Sequence, residues 1–113
     1  RRKVIPLLLA AHADVNAKRN NGMTALTLAA QEGYQHIIQI LVKANADVNY
    51  QLENGATALM LAAQHGHLAA VHALIAAKAD PNLKASNGMT AMMLANLYRH
   101  REVIDVLKKS GAK

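Results

Sequence analysis

The chain has 113 residues, enough for one domain, and a formal net charge of +6. It is 52% hydrophobic but only 3% aromatic, which favours closely packed helices over a sheet sandwich built from β-branched and aromatic residues. It has no cysteine, which excludes disulfides and cysteine-based metal sites and is compatible with a reducing compartment.

The excess positive charge lies at the two ends of the chain. Residues 4–107 hold seven basic and seven acidic side chains, and the remaining basic residues are Arg1, Arg2, Lys3, Lys108, Lys109 and Lys113. A basic protein can bind nucleic acid, but two separate clusters do not form one basic surface. We therefore expect no nucleic-acid partner; binding of an anionic surface through the basic ends is the alternative, and strong salt dependence would reveal it.

The first predicted element is the apolar run in RRKVIPLLLAAHA, which imitates a signal peptide but is too short to span a bilayer and follows no Met. Residues 21–34, NGMTALTLAAQEGY, then give an Asn-Gly turn, a threonine that can cap a helix, a short apolar helix and a glycine. The apolar stripe of Ile37, Ile38, Leu41 and Val42 predicts a second helix.

These elements recur every 33 residues. HADVN at 12–16 returns as NADVN at 45–49 and KADPN at 78–82, and the same interval separates Gly22, Gly55 and Gly88. The pair Thr24-Ala25 likewise returns at 57–58 and 90–91. Three markers with one period predict stacked repeats, in which each short helix is covered by its partner and by the next repeat.

A 33-residue unit with these markers resembles the ankyrin repeat, whose pattern is roughly G-x-T-P-L-H-x-A-A-x-x-G-H followed by an apolar helix and G-A-D-V-N. The resemblance implies an all-α solenoid of stacked helix-turn-helix units with projecting β-turn hairpins, in one ankyrin repeat domain over residues 1–113. Residues 1–16 would be the second half of a truncated repeat, 17–49 and 50–82 full repeats, and 83–113 the C-terminal repeat. The signal-like run is then an outer helix, and we expect the chain to be a fragment of a longer array.

The chain departs from the family pattern at several positions. The family's proline is Ala25, Ala58 and Ala91, and its histidine is Thr27, Met60 and Met93, which should weaken the hydrogen bonds around the capping threonine. The usual glycines are replaced by Arg99 after the third inner helix and by His12, Asn45 and Lys78 after outer helices. Because left-handed backbone strains these side chains, we expect lower stability than in a consensus array.

The resemblance also implies a protein-binding concave face made of the turn tips and the ends of the first helices. Carried over by position, its residues are Arg19, Asn20, Asn21, Met23, Gln31, Glu32, Leu52, Glu53, Asn54, Ala56, Gln64, His65, Ser86, Asn87, Met89, Leu97 and Tyr98. Met23 and Met89, with Leu52 and Tyr98, would be exposed apolar anchors. The alternative is that the two methionines pack under the hairpins.

No residues point to catalysis. Asp14, Asp47 and Asp80 recur in one turn and should bond backbone amides, and the following Asn49 and Asn82 should stabilise the hairpins, although such asparagines are sometimes hydroxylated in the family. His67 should cap the second helix. His65, His67 and His72 should diverge, so we expect no metal site.

The sequence therefore predicts a non-catalytic interaction module that binds another protein and uses no cofactor, small-molecule substrate or membrane. We expect a monomer in an intracellular, cytoplasmic location. One alternative is the targeting or substrate-recognition arm of a larger multidomain enzyme or of a bacterial effector in the host cytosol. Another is a purely structural stretch whose partner binds elsewhere.

Overall fold

The computed structural model describes residues 23–112. Its helices are α1 (Ala25–Glu32), α2 (Gln35–Lys43), α3 (Ala58–Gln64), α4 (Leu68–Ala76), α5 (Ala91–Leu97) and α6 (Arg101–Lys109). Helices α1, α3 and α5 pack side by side as an inner row, and α2, α4 and α6 form an outer row. Residues 23–112 contain no strand, so the predicted all-α stack is confirmed there. The truncated repeat at 1–16 lies outside the described residues, and the repeat boundaries stay predictions.

Each inner helix begins at a buried threonine. The hydroxyls of Thr24, Thr57 and Thr90 accept a hydrogen bond at 3.2 Å from the backbone amide three residues later. This bond satisfies an amide of the first turn that has no partner within the helix, and removing such a cap costs about 1 kcal/mol. The predicted caps are confirmed.

Thr27 strengthens the first of these caps, contrary to the predicted weakening. Its hydroxyl oxygen accepts from the Thr24 backbone amide at 2.8 Å, which completes a reciprocal capping box. The same hydroxyl donates to the Thr24 carbonyl at 2.9 Å. Met60 and Met93 cannot make these bonds, so the prediction of a weaker network was wrong for the first described repeat alone.

The inner helices are short because the chain turns sharply into its outer partner. Gly33 and Gly66 end α1 and α3 with φ of 77° and 70°. A methyl group on either glycine would lie 2.6 Å from an imidazole ring, that of His67 or His100 in the following repeat. Glycine is therefore required twice over, by the backbone conformation and by the next repeat.

The core is a layer of small residues between inner helices and a layer of aliphatic ones beneath the outer helices. The fully buried alanines that let the inner helices approach are Ala30, Ala62, Ala63 and Ala95. The outer helices contribute Ile38, Leu41, Val71, Leu74, Val103 and Leu107, all buried. The predicted apolar stripes are confirmed, and their burial against neighbouring repeats is the main stabilising contribution.

Three non-glycine residues occupy left-handed backbone. Asn45 and Lys78 follow outer helices with φ of 71°, and Arg99 follows α5 with φ of 61°. Asparagine tolerates this region, whereas for lysine and arginine the crowding between Cβ and the carbonyl costs about 1 kcal/mol. The predicted strain at these positions is confirmed; His12 lies outside the described residues.

Candidate functional site

The turn tips are tight hairpins closed by glycine. The amide of Leu52 donates to the Ala56 carbonyl at 2.8 Å and that of Gly55 donates back to Leu52 at 2.7 Å. The next repeat has the same bonds, from Ala85 to Met89 at 2.9 Å and from Gly88 to Ala85 at 2.8 Å. This is the arrangement of a three-residue hairpin loop that ends in a left-handed residue.

Asparagine side chains shape these tips. The Asn54 Oδ1 atom accepts from the Ala56 amide at 3.0 Å, and the Asn87 Oδ1 atom accepts from the Met89 amide at 3.0 Å. Both predicted contact residues are therefore partly committed to local turn geometry. At each tip the exposed neighbour, Glu53 or Ser86, is left to face solvent.

The two described hairpins are bonded to each other. The Ser86 amide donates to the Asn54 carbonyl at 2.8 Å, and the Gln51 Nε2 atom donates to both the Gly55 and Lys84 carbonyls at 3.0 Å. Sequence reasoning missed Gln51, because nothing marks a polar residue before a turn as a bridge between repeats. The result is a preformed ledge rather than independent loops.

The ends of the inner helices are fixed by histidines of the following repeat. The Nε2 atom of His67 lies 3.1 Å from the Gln31 carbonyl oxygen, and that of His100 lies 3.0 Å from the Gln64 carbonyl oxygen. Since a carbonyl only accepts, Nε2 carries the proton in each case and donates. The acceptors belong to last helical turns, whose carbonyls lack partners within the helix.

His67 therefore does not act as predicted. It occupies the N-cap position of α4, but its side chain makes no capping bond to that helix. The same is true of His100 at α6. The expected capping role was wrong because the ring is turned back toward the previous repeat, where its N–H satisfies the carbonyl at the end of an inner helix.

The rings at the helix ends also stack. His65 and His67 lie with centroids 5.9 Å apart, and Tyr98 and His100 with centroids 6.4 Å apart. The prediction that His65 and His67 diverge was wrong, whereas His72 lies exposed on α4. Among residues 23–112 no group of three or more histidine, aspartate or glutamate side chains could hold a metal ion.

The predicted contact residues differ in exposure. Exposed are Glu32, Glu53, Asn54, His65, Ser86, Asn87, Leu97 and Tyr98; half-buried are Met23, Gln31, Leu52, Gln64 and Met89. Ala56 is buried, so its side chain contributes to the core rather than to a surface. Leu52 also packs against the core, and of the four expected apolar anchors only Tyr98 is exposed. Arg19, Asn20 and Asn21 lie outside the described residues.

The repeated Asp-x-Asn turn connects one repeat to the next. Asp47 and Asp80 accept from the amides of Asn49 and Asn82 at 3.0 and 2.9 Å, which confirms the predicted local bonds. The Asn49 Oδ1 atom also accepts from the Asp80 amide at 2.7 Å. Its counterpart Asn82 donates from Nδ2 to the Gly111 carbonyl at 3.2 Å. These asparagines therefore join successive turns as well as stabilising their own; Asp14 lies outside the described residues.

Paired helices joined by bonded hairpins and repeating every 33 residues define a helical repeat protein. A family profile described as "Ankyrin repeats (3 copies)" matches residues 1–85 and again residues 46–113, and the chain belongs to the ankyrin repeat family. Comparison with curated proteins gave no match. Ankyrin repeats are generally protein–protein interaction modules. None of the helices between residues 23 and 112 has the length and apolar character needed to cross a membrane.

Proposed function

We propose that this chain is a non-catalytic binding module that holds a protein partner on the face formed by its turn tips and inner-helix ends. The observation that carries the proposal is the recurrence of exposed polar side chains, such as Glu53, Ser86 and His65, on a backbone bonded from one repeat to the next. Packing fixes the rest of each unit, so these positions are left for recognition. We keep the intracellular, cytoplasmic location as a prediction.

Preorganisation supports this role. The ledge bonds between Asn54 and Ser86, and the histidine bonds at Gln31 and Gln64, hold the candidate residues before any partner arrives. A partner then loses less free energy to ordering loops and side chains on binding. The exposed residues are mixed in charge and include Glu32, Glu53 and His65, a composition that suits a protein surface.

The test compares two matched double variants in affinity capture with the full chain as bait. Glu53→Ala/His65→Ala removes one carboxylate and one imidazole from the proposed face. Glu102→Ala/His72→Ala removes the same two groups from exposed positions on the outer helices. We expect the first variant to lose the proteins captured by the unmodified chain and the second to keep them. Equal capture by both variants contradicts the proposal.

A further inference from the structure

The third repeat leaves open a face that the two repeats before it cover. Thr27 and Met60 are each 1% exposed, whereas their counterpart Met93 is 45% exposed. Ile38 and Val71 of the outer helices are fully buried, whereas the equivalent Ile104 is half-buried. At these positions the following repeat supplies the cover, so Met93 and Ile104 mark the open end of the described stack.

This end is not shaped for one more repeat of the same kind. The Cβ of Arg99 occupies the position that Gly33 and Gly66 keep empty for the imidazole of the next repeat. Asn96 replaces the fully buried Ala30 and Ala63, and its Nδ2 atom donates to the Met92 carbonyl at 3.0 Å. A further histidine-bearing repeat would therefore meet a wider and more polar surface than the earlier repeats provide.

The same end exposes a compact apolar surface. Met93 and Leu97 lie one turn apart on α5, and Tyr98 follows the helix; Leu97 is 62% and Tyr98 49% exposed. The Tyr98 ring stacks on His100, which limits its freedom before any contact forms. We call Met93, Leu97 and Tyr98 the end patch. Clustered exposed apolar side chains of this size mark interaction sites.

Positive charge surrounds the end patch. Val42 and Lys43 line a groove against α4, so their counterparts Lys108 and Lys109 face the open end, as does Asp105, the counterpart of Gln39. Arg99 lies directly after Tyr98 and is exposed. Residues 83–112 hold five basic and two acidic side chains, whereas residues 23–82 hold two basic and four acidic. The end of the stack is therefore basic and its body acidic.

We propose that the end patch docks an acidic, amphipathic segment of a partner protein, an inference that rests on the proposed function and names the partner's chemistry. Apolar side chains three or four residues apart would pack on Met93 and Leu97, and flanking carboxylates would lie near Arg99 and Lys108. Charge decides between occupants, because two copies of this basic end would repel each other in a symmetric contact.

The experiment selects binders from a displayed library of random 16-residue peptides against the full chain. Selected peptides are then titrated against the unmodified chain and against Leu97→Asp, Tyr98→Ser and Arg99→Glu. Ile40→Asp is the matched control, because Ile40 is 47% exposed and lies on α2, away from the end patch. Far-UV circular dichroism of every variant checks that the helices remain, and Tyr98→Ser supplies the result if Leu97→Asp unfolds.

We expect the selected peptides to carry acidic residues around apolar residues at helical spacing. Their affinity should fall about tenfold or more with Leu97→Asp or Tyr98→Ser, fall several-fold with Arg99→Glu, weaken with added salt and stay unchanged with Ile40→Asp. Peptides that bind the end-patch variants as well as the unmodified chain, or that show no acidic preference, overturn the inference. So does self-association that Leu97→Asp abolishes, measured by sedimentation.

The outcomes separate this inference from the proposed function. Peptides that lose affinity with Glu53→Ala/His65→Ala but bind Leu97→Asp normally support binding at the turn tips and overturn docking at the end patch. Failure to select any peptide against the full chain counts against both proposals. Loss of affinity with Leu97→Asp alone supports the end patch and moves the principal contact away from the turn tips.

Discussion

Replacing Gly66 with alanine would place a methyl group in the contact between two repeats. Gly66 has a left-handed φ of 70°, and the new Cβ would lie 2.6 Å from the Nδ1 atom of His100. The His100 ring cannot simply turn away, because its Nε2 atom donates to the Gln64 carbonyl at 3.0 Å. The substitution should therefore weaken both the turn and the connection to the third repeat.

The expected loss is the sum of two effects. Alanine in left-handed backbone costs about 1 kcal/mol relative to glycine. Displacing the His100 ring removes a hydrogen bond worth about 1 kcal/mol and adds overpacking strain of about 1–2 kcal/mol. We expect Gly66→Ala to lower the free energy of unfolding by about 2–4 kcal/mol, a large part of the stability of a small domain.

Gly88 provides the control for the backbone effect. It is also left-handed, with φ of 83°, but a methyl group there meets nothing within 4 Å. Urea unfolding followed by far-UV circular dichroism should show a loss of about 1 kcal/mol for Gly88→Ala, from conformation alone. The difference between the two variants then measures the contact with His100.

A double variant completes the measurement. In a His100→Ala background the ring is gone, so adding Gly66→Ala should cost only the conformational part, about 1 kcal/mol. If Gly66→Ala and Gly88→Ala destabilise the protein equally, or if the Gly66 and His100 effects simply add, the imidazole is not what requires glycine at this turn.

Three further predictions use the same unfolding measurement. Lys78→Gly should raise the free energy of unfolding by about 1 kcal/mol because it removes left-handed strain at φ of 71°, and no gain would show that the strain is relieved elsewhere. Thr57→Ala should lower it by about 1 kcal/mol because the 3.2 Å cap at Met60 is lost, whereas Thr57→Ser should retain most of the stability. Asn49→Ala should cost about 1 kcal/mol through the 2.7 Å bond to Asp80, and a neutral result would assign that bond no net stabilising value.

The repeat and its caps could be predicted because they depend on local signals. Thr57, Gly66 and the apolar stripe of α4 each specify a helix start, a turn or a buried face within a few residues. Repetition at 33 residues then gives each signal independent support. The left-handed Lys78 followed from the same register, because its position in the repeat fixes its backbone conformation.

The contacts between repeats could not be predicted in the same way. Gln51, His67 and Asn49 each bond a residue about one repeat away, and a single sequence does not show which ring or amide turns toward its neighbour. Exposure of Met93 was missed for a related reason. Its position is a buried one in the preceding repeats, and only the open end of the stack changes that.

The connections between repeats share one span along the chain. The bond from His67 to Gln31 spans 36 residues, that from Gln51 to Lys84 spans 33, and that from Asp80 to Asn49 spans 31. Because each reaches about one unit in either direction, inserting or deleting a whole unit would leave every donor with an acceptor of the same type. A gene can therefore lengthen or shorten such a protein by duplication without redesigning what lies on either side of the splice.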